Sequence, residues 1–155
     1  MALATVAGGE VGVGDTFPSL AAAGLEGTAL PQTSARVVLV DFWASWCAPC
    51  KASFSAYARL DSEFASKGLV IVAVSVDEDA KSYDSFVKRL GPSFFVARDV
   101  GHKLVREAQV PTMPTSYLQD REGRVRYVHA GFHGAETERA LRREIMYLLS
   151  EKTHE

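Results

Sequence analysis

The sequence predicts an α/β fold in which a central mixed β-sheet is flanked by helices on both faces. Two continuous apolar runs, at residues 37–43 and 69–76, are typical of strands that are covered on both sides. Apolar residues spaced three and four apart follow each run and predict amphipathic helices. Near the C-terminus, two short runs flank a turn that contains Gly123, which predicts a β-hairpin. Alternating strands and helices followed by a hairpin indicate a mixed sheet.

The first part of the chain is predicted to lead into one domain that has no internal repeat or linker. Residues 1–14 are small and rich in glycine, so we expect a flexible N-terminal segment before a single domain at 15–152. Residues 15–34 carry short apolar stretches between Gly, Pro and Thr, which predict an N-terminal hairpin or an irregular cap. The helix that follows the first strand is expected to end at Gly68.

The second half of the chain continues the alternation and contains a central βα insertion. The expected elements, in order, are a helix around 83–90, a strand at 94–97, a brief helix at 100–108, hairpin strands at 115–118 and 125–129, and a last helix at 135–152.

The composition is that of an ordinary globular domain. The chain has 155 residues, 47% of them hydrophobic and 23% charged, and its formal net charge of -2 gives no bias toward nucleic acid. No apolar run approaches the roughly 18 to 20 residues that span a bilayer. The start lacks the pattern of a signal peptide. Two locations fit: a periplasmic or otherwise exported protein whose signal or anchor is absent from this sequence, or a cytoplasmic one.

The two cysteines of the chain, Cys47 and Cys50, are too close together to staple the fold. A bond between them closes a very small loop and removes little entropy from the unfolded chain. They lie where a buried strand ends and a helix begins, and helix-start N–H groups stabilise a thiolate. Cys47 is therefore the expected nucleophile. Cys50, one turn further in, is placed to attack a mixed disulfide on Cys47.

Asp41 lies six residues before Cys47, inside the apolar strand. Burial raises the pKa of a carboxyl group, so this group is predicted to accept the proton of Cys50 during turnover. The alternative is that Asp41 points to a polar edge and has no role. Trp46, directly before the nucleophile, offers a flat apolar contact to a protein partner.

Two segments resemble the thioredoxin superfamily. Residues 38–51, VLVDFWASWCAPCK, resemble its active-site strand and helix start, and residues 110–115, VPTMPT, resemble the segment that carries its cis-proline. The resemblance implies that Pro114 follows a cis peptide bond and faces the cysteines. It also implies that the backbone of Met113 pairs with an incoming peptide. Gly131 matches the glycine of that superfamily near the active-site surface.

The likeness narrows to the TlpA-like branch and covers residues 12–149. Pro114 lies 64 positions after Cys50, farther than in a minimal thioredoxin, and the opening segment resembles the N-terminal hairpin region of that branch. Many TlpA-like reductants carry Glu and Pro where this chain has Ser53 and Ser55. Asp41 instead matches the ordinary thioredoxin pattern, so the site combines features of both groups.

These residues predict a thiol:disulfide oxidoreductase that reduces disulfides in protein partners through a Cys-Ala-Pro-Cys pair. An upstream thiol reductant would restore the pair, and no metal or other cofactor is expected. We expect a monomer that does not bind nucleic acid. The predicted catalytic residues are Cys47, Cys50, Asp41 and Pro114, and the predicted substrate contacts are Trp46, Ala48, Pro49, Met113 and Thr115.

Three other functions fit parts of the sequence. A thiol peroxidase of the peroxiredoxin type would need its own motif around Cys47, with a nearby Thr and Arg, and we find none. A copper-binding module could use the two thiolates with His129 or His133. Structural zinc usually takes four protein ligands, and the chain has no second cysteine pair. A domain used only for binding would not need both cysteines.

Overall fold

A six-stranded mixed sheet runs through this computed structural model, which describes residues 9–27 and 29–152. Its central strands are parallel and antiparallel strands lie at both sides, so the sheet is mixed, as predicted. The strands are β1 Glu26–Gly27, β2 Val37–Trp43, β3 Leu69–Ser75, β4 Phe95–Arg98, β5 Thr115–Gln119 and β6 Val125–Ala130, in the spatial order β1-β4-β3-β2-β5-β6.

The helices fall close to their predicted positions. They are α1 Ala48–Phe64, α2 Ala80–Leu90, α3 Lys103–Ala108 and α4 Ala135–Ser150. Gly91 ends α2 in the left-handed conformation, and Gly68 does the same for the short turn that follows α1. Together, β4 and α3 form the predicted central insertion. No helix in the described ranges is both long and apolar enough to cross a membrane.

The sheet has a hydrophobic core on each face. Helices α1, α2 and α4 pack on one face, against residues such as Leu39 and Trp43 of β2. Helix α3 and the N-terminal segment cover the other face, against Val40 and Phe42. Because successive side chains of a strand alternate between faces, a strand buried on both sides reads as a continuous apolar run.

The opening segment differs from the predicted hairpin. Among its described residues, β1 pairs with β4 at one edge of the sheet, and Thr16 forms a β-bridge with Arg124. Backbone pairing with distant strands has replaced the expected local pairing. The predicted flexible segment lies outside the described residues at 1–8, but Val11 is only 2% exposed and its N–H donates to the Ala108 carbonyl. The packed domain therefore begins before the boundary predicted at Asp15.

Strand directions bring several loops to one end of the sheet. Parallel strands β2 and β3 both end there, since Trp43 pairs with Ser75. Strand β5 runs the opposite way and begins there, with Thr115 opposite Phe42. Strand β6 ends there at Ala130. The fold thus gathers the cysteine loop and the start of β5 at one edge.

Candidate active site

The cysteine pair occupies the start of α1. Cys47 is the N-cap residue, in an extended conformation, and Pro49 lies in the first turn. The pair is joined by a disulfide, with 5.4 Å between the Cα atoms. First-turn N–H groups have no partner within their helix, so the predicted setting for a Cys47 thiolate is present. Cys47 is 6% exposed and Cys50 is fully buried, so only Cys47 presents any surface to a partner.

The loop before Cys47 is anchored by Asp77, a residue that the sequence analysis did not identify. Both carboxylate oxygens of Asp77 accept from the Ser45 N–H at 3.1 Å. The hydroxyl of Ser45 donates to the same group at 2.7 Å, and that of Ser75 donates at 2.6 Å. These bonds tie the cysteine loop to the end of β3. A polar residue directly after a buried strand was the available signal.

The peptide bond between Met113 and Pro114 is cis, as the resemblance implied. The N–H of Gly131 donates to the Pro114 carbonyl at 2.7 Å, which links the end of β6 to this segment. Gly131 has a φ of 88°, a backbone conformation that favours glycine. Met113 is half-buried and packs against the core that contains both cysteines.

Asp41 is fully buried in β2, between Ala73 of β3 and Ser116 of β5. The Tyr57 hydroxyl donates to Asp41 Oδ1 at 2.7 Å, while Oδ2 has no hydrogen-bond partner among the described residues. Burial raises the pKa of Asp41 to about 8, and the bond from Tyr57 opposes part of that rise. The alternative of a side chain at a polar edge does not fit this burial.

Helix α1 carries both Cys50 and Tyr57, the residue that contacts Asp41. Cys50, Ser53 and Tyr57 are spaced three and four apart, so they share one helix face. Ser53 is fully buried and its hydroxyl donates to the Cys50 carbonyl at 2.7 Å. The serine hydroxyl thus satisfies the backbone of its own helix. Ser55 is exposed.

The predicted contact residues do not all lie on the surface. Trp46 is 73% exposed, and Ala48 and Pro49 are also exposed, so these three are accessible beside Cys47. Thr115 is fully buried, and its hydroxyl donates to the Thr112 carbonyl at 2.7 Å. The prediction that Thr115 contacts a substrate does not fit this burial, because no part of the residue is exposed.

The histidines considered for copper have other surroundings. His129 Nε2 lies 2.6 Å from Glu144 Oε1, between β6 and α4. His133 is exposed. Within the described parts of the chain, no group of three or more His, Cys, Asp and Glu side chains is placed to hold a metal ion.

Sequence comparisons find a family and curated relatives. The sequence model of the Redoxin family matches residues 12–145. Thiol-disulfide oxidoreductase ResA from Bacillus thuringiensis is 32% identical over 115 residues, which are 73% of this chain and 66% of the relative. ResA from Bacillus subtilis is 34% identical over 102 residues, or 66% of this chain and 57% of the relative. The matches thus span 57% to 66% of the length of these two relatives, less than two thirds in each case.

A solved structure covers the chain more completely. A protein from Chlorobium tepidum, described as thiol:disulfide interchange protein DsbE, superposes with a TM-score of 0.83 and 33% identity, over 91% of this chain and 100% of that one. Together with the family match, this likeness confirms the predicted thioredoxin fold and the resemblance to the TlpA-like branch.

Proposed function

Since this chain belongs to the Redoxin family, we propose that it is a thiol:disulfide oxidoreductase that reduces disulfides in protein partners. One observation carries the proposal: Cys47 caps α1 and is 6% exposed, and Cys50 is bonded to it and fully buried in the first turn. This arrangement allows the Cys47 sulfur to react with a partner while the Cys50 sulfur stays shielded behind it. The names of the ResA and DsbE relatives support the same class of reaction.

The reaction begins when the Cys47 thiolate of the reduced protein attacks one sulfur of a partner disulfide. A Cys47–partner disulfide forms, and the other partner sulfur leaves as a thiolate that takes a proton from solvent. Asp41 then accepts the proton of Cys50. The Cys50 thiolate attacks Cys47, closes the internal disulfide and releases the second partner sulfur. Two electrons have moved to the partner, and an upstream dithiol returns the pair to its reduced form.

The partner binds beside the cis peptide bond at Pro114. The backbone of Met113 pairs with an extended segment of the partner, and Trp46 supplies an apolar contact next to Cys47. The protein acts as a monomer in this proposal. It works in an exported or periplasmic location, because disulfides in partner proteins persist in oxidising compartments.

Trapping of the mixed disulfide tests the proposal. Reduced Cys50→Ser protein, incubated with insulin as a disulfide-bonded probe, should hold an insulin chain on Cys47 that dithiothreitol releases. Cys47→Ser is the matched control and should hold none. The wild-type protein should reduce insulin catalytically when dithiothreitol is supplied. Peroxide consumption without insulin reduction, or no adduct on either variant, would overturn the proposal.

A redox titration of the Cys47–Cys50 pair tests the direction of electron flow. A midpoint near that of reducing dithiols, about -270 mV, supports a reductant. A midpoint near about -120 mV, as in strongly oxidising pairs, would reverse the assignment.

A further inference from the structure

Tyr57 is held in place directly over the buried Asp41. Its ring is almost fully buried and meets the rings of Phe94 and Phe132 edge-on, with centroids 6.1 and 6.4 Å away. Contacts on two sides fix the ring, and its hydroxyl donates to Asp41 Oδ1 at 2.7 Å. A buried hydroxyl fixed this firmly can orient the carboxyl group that it contacts.

In the described part of the chain, the two strands that flank β2 place uncharged residues opposite Asp41. Ala73 lies opposite on β3 and Ser116 opposite on β5. His129 is one strand further along the same row and lies against Glu144 of α4. Asp41 Oδ2 has no partner in the described part of the chain. The Tyr57 hydroxyl is thus the hydrogen-bond donor that stabilises an ionised Asp41.

We propose that Tyr57 is a positioning residue for the proton acceptor: its hydroxyl holds Oδ1 of Asp41, so that Oδ2 takes the proton of Cys50. The inference rests on the proposed function. A carboxylate that has one oxygen in a hydrogen bond and the other without a partner accepts a proton at the oxygen without a partner. The S–H bond of Cys50 breaks, an O–H bond forms at Oδ2, and the electron pair stays on sulfur.

The Tyr57 hydroxyl keeps its own proton throughout this step. Burial, followed by the nearby Asp41, raises the pKa of Tyr57 well above its ordinary value. It therefore remains a donor to Asp41 and does not act as an acid. Ser53 does not take over this role, because its hydroxyl donates to the Cys50 carbonyl.

Carboxyl titration in the oxidised protein tests the inference without any disulfide reduction. The ¹³C signal of Asp41, identified by its loss in Asp41→Asn, should titrate near pH 8 in the wild type. Tyr57→Phe should raise this midpoint by about one to two pH units, since a hydrogen bond to the charged form is lost. Tyr83→Phe is the matched control: it removes a hydroxyl from the same core and should leave the midpoint unchanged. An unmoved midpoint in Tyr57→Phe would overturn the inference.

The reduced protein tests the connection to Cys50. The ¹³Cβ shift of Cys50, followed against pH, should change its midpoint in both Tyr57→Phe and Asp41→Asn. Adding Tyr57→Phe to Asp41→Asn should change nothing further, because Tyr57 acts through Asp41. Equal effects of Tyr57→Phe with and without Asp41 would reduce its role to packing and overturn the inference. If both substitutions shift the Cys50 midpoint as expected but the protein does not reduce insulin, the proposed function is overturned and the role of Tyr57 is not.

Discussion

Two fully buried aspartates on opposite sides of the fold differ in how their charge is satisfied. At the start of α3, Asp99 accepts the N–H of Leu104 at 3.0 Å and that of Val105 at 2.8 Å. In β2, Asp41 accepts one hydrogen bond, from the Tyr57 hydroxyl, and its second oxygen has no partner among the described residues. Burial alone therefore does not prepare a carboxyl group for proton transfer. The number of donors around it separates a structural aspartate from a reactive one.

Asp77 shows that a buried aspartate close to the cysteines can also be structural. It accepts from the backbone and hydroxyl of Ser45 and from the hydroxyl of Ser75. Its position at the same end of the sheet as the disulfide gives it a role in anchoring a loop. The hydrogen bonds that an aspartate accepts therefore indicate its role better than its distance from the cysteines does. The following experiments test this contrast.

The largest expected effect is the pH dependence that Asp41 imposes on stability. Its pKa is about 8 in the folded protein against 3.8 as the reference, so the folded state binds a proton that the unfolded state loses in between. Stability from this group is present below about pH 4 and is lost as pH rises through about 8, by up to about 6 kcal/mol. Asp41→Asn should remove this loss and be the more stable protein at about pH 9.

Urea unfolding of oxidised wild-type and Asp41→Asn protein across that range measures the difference. The same substitution at Asp99 is the matched control and should not improve stability at high pH. Parallel pH profiles for wild type and Asp41→Asn would show that Asp41 ionises normally and would break the contrast between the two aspartates.

Removal of the Asp99 carboxylate should destabilise the protein at every pH. Asp99→Ala leaves one buried and one partly buried N–H group at the start of α3 without a partner, which costs about 2 to 4 kcal/mol of unfolding free energy. Asp99→Asn keeps one acceptor oxygen and should lose roughly half as much. Urea unfolding at neutral pH measures both. A loss below about 1 kcal/mol for Asp99→Ala would mean that water replaces the carboxylate.

A smaller effect is expected at the cysteine loop. Ser45→Ala removes one hydroxyl donor from Asp77, but the Ser75 hydroxyl and the backbone N–H of residue 45 remain. The expected loss of unfolding free energy is about 1 kcal/mol. Ser82→Ala, which removes an exposed bond to Asp79, is the control and should lose less. If both variants lose the same unfolding free energy, the bond from Ser45 to Asp77 stabilises the fold no more than an exposed bond does.

The smallest effect on stability is expected at Trp46, although its effect on partner reduction is measurable. The side chain is 73% exposed, so Trp46→Ala should change the unfolding free energy by less than about 0.5 kcal/mol. Insulin reduction should fall several-fold, while reduction of a small aromatic disulfide should change little. Tyr147→Ala, exposed on α4, is the control for both assays. Equal losses on the large and small disulfides would contradict a partner contact.

Local patterns in the sequence determined most of the secondary structure and the chemistry of the cysteines. The run at 37–43 predicted β2 because a strand covered on both faces has no polar alternation. The apolar spacing after that run predicted a helix that begins at the cysteines, and the resemblance of VPTMPT to a cis-proline segment implied the cis bond before Pro114. Each of these signals lies within a few residues of what it describes.

Only the tertiary structure decided which distant groups meet. In the sequence, Tyr57 is one of the apolar residues that predict an amphipathic helix. The packing of α1 on β2 places its hydroxyl against Asp41. Thr115 was predicted to contact a substrate, but the packed fold buries it completely. The pairing of β1 with β4 depends on strand order in the same way. Such contacts arise from the register and packing of segments far apart in the chain, which the period of a local pattern does not encode.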